Sequence, residues 1–169
     1  MTRDLSELNQ RLLALARQYA QVAQEVLGDN LTSVVLYGSV ARGEAELHSD
    51  IDLLIVCREL PRGLFRRQEV LQPVRDRLYP ALEALWQQGC YSDFSELLKT
   101  EAEAQHTIPP YLDMTEDALL LYDRDGFFAG ILQRLRARLA ELGAQRKRLG
   151  KIRYWDLKPD FQPGEVIEL

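Results

Sequence analysis

Leu31-Thr-Ser-Val-Val-Leu-Tyr37 runs into Gly38-Ser39, and ten residues later Asp50-Ile51-Asp52 opens the apolar run Leu53-Leu54-Ile55-Val56. Val34 to Tyr37 and Ile51 to Val56 are short apolar runs of strand type. The residues between Ser39 and Asp50 leave room for only a turn or two of helix and a loop. So short a connection predicts that the two strands pair antiparallel, with the end of the first beside the start of the second. Gly38 lets a backbone approach a ligand closely, and Ser39 opens the short helix, where free N–H groups favour an anion. Asp50 and Asp52 are two apart, so on a strand both carboxylates leave the same face. One edge of the sheet would then hold a phosphate cradle opposite two carboxylates.

Upstream, Asp4 and Glu7 form a capping-box pattern. Leu5, Leu8, Leu12, Leu15, Tyr19, Val22 and Val26 then recur at helical spacing as far as Gly28 and predict a helix that covers one face of the sheet. Downstream, residues 64–88 read as a helix with Val70, Leu71, Val74, Leu78, Leu82, Leu85 and Trp86 on its apolar face. Pro73 and Pro80 are expected to kink or divide it. Tyr91 to Lys99 reads as a third strand, and Ala118 to Tyr122 is a fourth apolar run. Pro109-Pro110 precedes a short helical piece. Phe127, Phe128, Ile131, Leu132, Leu135, Leu139 and Leu142 stripe a last amphipathic helix, whose other face carries Arg134, Arg136, Arg138 and Glu141. The tail from Arg153 is aromatic and broken by proline. Tyr154, Trp155 and Phe161 are expected to pack back on the domain.

The chain of 169 residues fits one domain with an appendage. A net charge of -5 gives no support to broad nucleic-acid binding, which needs a basic face. No apolar run approaches membrane-spanning length, and Met1-Thr-Arg-Asp-Leu-Ser-Glu7 lacks the shape of a signal peptide. Cys57 and Cys90 have no metal-ligand spacing and are read as buried thiols. A cytoplasmic location is expected. Walker loops, dinucleotide fingerprints, Cys/His metal clusters and nucleophile elbows do not occur.

The run Gly38-Ser39-Val-Ala-Arg42-Gly43, closed by Ser49-Asp50-Ile51-Asp52-Leu53, resembles the signature of minimal nucleotidyltransferases of the polymerase-beta superfamily: Gly-Ser, about ten residues, Asp-x-Asp. The resemblance is firm over residues 31–56 and loose in element order up to residue 122. It implies an α/β (α+β) nucleotidyltransferase fold, a small mixed twisted sheet backed by helices with its site at one edge. The core would span residues 1–122, with residues 123–169 an accessory C-terminal helix and aromatic tail.

The resemblance also implies a chemistry. Asp50 and Asp52 would hold Mg²⁺ against a nucleoside triphosphate, ATP first among them, while Gly38 and Ser39 contact its outer phosphates. The metal neutralises charge on the α-phosphate and the departing pyrophosphate as a hydroxyl attacks in line. Arg42 follows Ser39 by three and faces the same way; it either steadies phosphate charge or pairs with Glu44 or Glu46 at the surface. The family's third carboxylate lies on a neighbouring strand and can serve as base. Asp93 is preferred for that role over its rival Glu96. The two sit on opposite strand faces, so at most one looks into the site, and neither is an open alternative. His48, in the loop before Ser49-Asp50, reads as solvent-facing.

The leading function that the resemblance implies is Mg²⁺-dependent transfer of AMP from ATP to an acceptor hydroxyl, and the family resembled offers one role for it, as antitoxin to a helical HEPN-type toxin partner. A second reading is a nucleotide-binding protein of little turnover that acts by binding a partner. A third is an aminoglycoside-type nucleotidyltransferase, disfavoured by the lack of a large helical acceptor domain. Membrane partners are not expected, nucleic acid is disfavoured, and an oligomer is allowed.

Overall fold

The computed structural model describes residues 2–150 and 152–169, with side chains from Leu5 onward. The side chain of the expected Asp4 cap lies outside that description. Helix α1 spans Thr2–Leu27 and ends in a single 3-10 turn over Gly28–Asn30. Strand β1, Leu31–Tyr37, leads into the four-residue helix α2, Gly38–Ala41, and strand β2 follows at Ile51–Cys57. These two strands pair antiparallel, with Val34 opposite Ile55 and Tyr37 opposite Asp52. Helix α3, Leu64–Trp86, then crosses to strand β3, Phe94–Thr100, which runs parallel to β2. Short helices α4, Glu101–Ala104, and α5, Pro109–Asp117, precede strand β4, Leu119–Asp123, which pairs antiparallel with the free side of β1. The sheet order is β3-β2-β1-β4.

Strand alternation divides the core into two layers. Val34, Leu36, Ile51, Leu53 and Ile55 face α1 and α3, where they meet Leu12, Tyr19, Leu71, Val74 and Leu78. Val35, Leu54 and Val56 face the other way, onto Tyr111 and Met114 of α5 and onto helix α6, Phe127–Glu141. Both faces of β1 and β2 are thus buried, which is why they read as continuous apolar runs rather than alternating ones. Each fully buried Leu or Ile contributes about 1.5–3 kcal/mol of transfer free energy.

Two expectations need correction. The α3 helix is not divided at Pro73 or Pro80. Both prolines lie on its exposed face, seven residues apart, so the carbonyls of Glu69 and Asp76 that lose their helical donors can turn to water. Meanwhile Leu71, Val74, Leu78, Leu82 and Leu85 hold the opposite face on the sheet. The segment after α6, for which no strand is expected, forms a hairpin that runs into the aromatic tail: β5, Gln145–Leu149, pairs antiparallel with β6, Ile152–Asp156. Gly150 turns the chain with φ of 61°. Trp155 packs back against the α5–α6 layer as expected, whereas Tyr154 and Phe161 stay exposed. Both cysteines are free and buried, and burial raises the Cys57 thiol to about 11.

Candidate active site

The sheet register builds the site. Tyr37, the last residue of β1, lies opposite Asp52, and on the other side β3 sets Ser95 opposite the same aspartate. Cross-strand partners share a face, so Tyr37, Asp52 and Ser95 form one row on the α5–α6 side at the end of the strands. Gly38 follows Tyr37 with φ of 76°, and a Cβ there would collide with Asp52 Oδ2. Only a glycine lets the main chain pass so close to that carboxylate. Ser39 follows it into α2, where its carbonyl accepts from the Glu44 N–H at 2.9 Å. The glycine–serine corner and the second aspartate are therefore adjacent.

Asp52 is half-buried, and burial pushes its carboxyl pKa up. The Ser95 hydroxyl opposes that shift, the neighbouring Asp50 adds to it, and Arg42 opposes it again. Tyr37 shows the reciprocal effect: burial first, then Asp52, raises its phenol. Asp50 is exposed, one residue before the ladder, and its Oδ1 accepts the Asp93 main-chain N–H at 3.2 Å. Two carboxylates, one of them carrying an unfavourable desolvated charge, suit a hard divalent cation, which prefers such oxygens together with water and phosphate. Among the described residues no group of three or more His, Cys, Asp or Glu is placed to hold a metal.

The two rivals for the third carboxylate are placed differently. Glu96 lies on the opposite face, under α1 and α3, with its side chain only 1% exposed. There it takes the Tyr19 hydroxyl at 2.6 Å and the Arg75 Nε–H at 2.7 Å, and its charge is fully used. Asp93 has the correct alternation but precedes the ladder. Its carboxylate accepts the Phe94 N–H at 2.7 Å, beside the Arg75 guanidinium, and its main-chain N–H reaches Asp50. The strand position beside Asp52 belongs to Ser95, which a search confined to carboxylates passes over.

Arg42 combines both readings of its sequence position. It caps α2, is 21% exposed, and pairs with Glu44 at 3.0 Å and with Asp117 at 3.8 Å, yet it still acts on Asp52. Asp117 ends α5, and sequence reasoning gave it no role. His48 is exposed as expected and stacks on Tyr91 with ring centroids 5.8 Å apart.

Residues 17–112 match the model of the nucleotidyltransferase domain, more than half of the chain and all of the glycine–serine and aspartate elements. The chain belongs to the nucleotidyltransferase domain family. Over 119 residues, 70% of this chain and 77% of the relative, it is 28% identical to "Putative protein adenylyltransferase MJ1305" of Methanocaldococcus jannaschii. It is 31% identical over 61 residues to "Putative protein adenylyltransferase MJ0141" of the same organism, a match spanning 36% of this chain and 61% of that one. Among solved structures, a toxin-antitoxin with AMP-PNP aligns at 18% identity and a TM-score of 0.43, covering 73% of this nucleotidyltransferase and 91% of that chain. A mutant MntA-HpeT toxin-antitoxin aligns at 13% and 0.45, covering 76% and 92%. No described helix is long and apolar enough to cross a membrane.

Proposed function

We propose that this nucleotidyltransferase moves AMP from ATP to a hydroxyl of a protein acceptor, with Asp50 and Asp52 binding Mg²⁺. The observation that carries the reading is that a Cβ at Gly38 would collide with the Asp52 carboxylate, so the glycine–serine corner lies directly beside the aspartates. The names borne by the archaeal relatives support adenylylation of a protein. A helical HEPN-type toxin, toward which the chain would act as antitoxin, is the acceptor that the family signature suggests.

In this reading Gly38 and Ser39 seat the outer phosphates through the main chain, and Arg42 adds positive charge beside them. Asp50 and Asp52 hold the cation, with Asp52 oriented by Ser95 and Asp50 by the Asp93 N–H. When bound, the metal supplies charge neutralisation at the α-phosphate and the leaving pyrophosphate. The acceptor oxygen attacks phosphorus, the bond from the α-phosphorus to the bridging oxygen breaks, and the acceptor proton passes to solvent or to an acceptor-side base.

Ser95 in the place of a third carboxylate favours a second reading: nucleotide binding with little turnover. ATP labelled at the α-phosphate, incubated with Mg²⁺ and a candidate helical partner, separates the two. Label on the partner that vanishes in Asp50→Ala and Asp52→Ala supports transfer. Tight ATP binding without label supports the second reading, and neither binding nor label defeats both.

A further inference from the structure

The C-terminal hairpin is joined to the site by a chain of ion pairs that ends at Arg42. One face of the hairpin carries Arg146, Arg148, Arg153 and Trp155, since cross-strand partners share a face. Arg146 makes a forked pair with Asp117, one arm at 3.0 Å, and also reaches Asp113 at 3.1 Å. The Trp155 ring N–H donates to the same Asp113 at 3.0 Å. Arg153 pairs with Glu44. Asp117 and Glu44 are the two carboxylates that hold Arg42. Arg146 is 19% exposed and its Nε is buried without a partner among the described residues, so the side chain is held there by its fork on Asp117.

We propose that the β5–β6 hairpin is a working part of the nucleotide site: by sharing Glu44 and Asp117, Arg146 and Arg153 leave Arg42 free to present positive charge to the triphosphate. This rests on the nucleotidyl-transfer reading above. The physical reason is charge balance. Without the hairpin, Arg42 alone would face two carboxylates and would be neutralised or drawn off the Asp52 edge. With it, each carboxylate has a second guanidinium. Glu44 shows the sharing directly, since Arg153 first and Arg42 second hold its carboxyl down to about 2. Arg146 and Arg153 lie beyond the residues 17–112 matched by the family model, on the hairpin that follows the sheet and α6. Arg146 and Arg153 are positioning residues that act through Arg42.

The signs of the expected effects distinguish this from simple structural support. In calorimetric titrations with Mg·ATP, Arg146→Gln and Arg153→Gln weaken binding about tenfold, and Glu44→Gln strengthens it or leaves it unchanged. Adding Glu44→Gln to Arg153→Gln restores most of the loss. In an Arg42→Ala background, Arg146→Gln changes binding less than about twofold, because the two act in series. Equal losses with and without Arg42, or a further loss on adding Glu44→Gln, would overturn the proposal. If the wild-type chain binds no ATP, the nucleotidyl-transfer reading fails, and the Arg42 Nε–H signal in a ¹H–¹⁵N NMR spectrum still decides the coupling. A shift of that signal in Arg153→Gln, whose side chain sits at the rim, supports the hairpin's hold on Arg42, and an unmoved signal rejects it.

Discussion

Asp52 and Glu96 lie one strand apart, on opposite faces of the same sheet, and their surroundings could hardly differ more. Glu96 is sealed under α1 and α3, where Arg75 and Tyr19 satisfy both its oxygens. The partners respond in kind: the pair with Glu96 raises the Arg75 pKa, and burial followed by Glu96 raises Tyr19 well above its usual value. Asp52 is desolvated without an equivalent cation, beside a second aspartate, where a glycine has made room. A buried charge that is fully paired is architecture. One left under-compensated at an opening is poised for a ligand that brings the missing positive charge.

Four outcomes would break or sharpen that contrast. The largest is expected at the open carboxylate: Asp52→Asn should lower transfer at least about 10³-fold. Its melting temperature should match or exceed that of the wild type, because an unfavourable charge has gone. Next, Glu96→Ala should cost about 3 kcal/mol of stability in denaturant unfolding by stranding Arg75, while each folded molecule keeps its ATP affinity. Equal loss of binding in both variants would erase the distinction drawn between the two faces.

A smaller effect is expected at Gly38. Gly38→Ala meets both a left-handed backbone and the Asp52 carboxylate, so about 1–3 kcal/mol of stability and a rise in the ATP dissociation constant should appear together. The smallest concerns pH, where Asp52 and Glu44 should behave oppositely. The Asp52 pKa is raised on folding, so its penalty is present at neutral pH and fades as pH falls through the raised value. Asp52→Asn should thus gain less over the wild type in acid. The Glu44 pKa is lowered from 4.5 to about 2, so its contribution is full above 4.5 and disappears as pH approaches 2. Thermal melts of Glu44→Gln and wild type should converge over that window.

The parts legible in the sequence are those where one local rule operates. Gly38-Ser39 and Asp50-Ile51-Asp52 announce a turn, an apolar strand pair and a shared carboxylate face, and the ladder with Tyr37 opposite Asp52 follows. The helix stripes of α1, α3 and α6 were equally open to reading. The fate of Asp93 and Glu96 was not, because it depends on where β3 enters the ladder, and one residue of register exchanges the faces. Ser95 was hidden for the same reason. The hairpin was obscured because Gln145-Arg-Lys-Arg-Leu149 has no apolar alternation; its inward face is held by Asp113, Asp117 and Glu44, partners distant in sequence. Pro73 and Pro80 do not divide α3 because both sit on its exposed face, where the carbonyls they free can turn to water.

The most direct test is a calorimetric titration of ATP, with and without Mg²⁺, into the wild type, Asp52→Asn and Glu96→Gln. Mg²⁺-dependent binding should appear in the wild type, be lost in Asp52→Asn, and persist in the folded fraction of Glu96→Gln. ATP binding of wild-type strength in Asp52→Asn, or independent of Mg²⁺ throughout, would contradict the placement of the site at the glycine–aspartate edge.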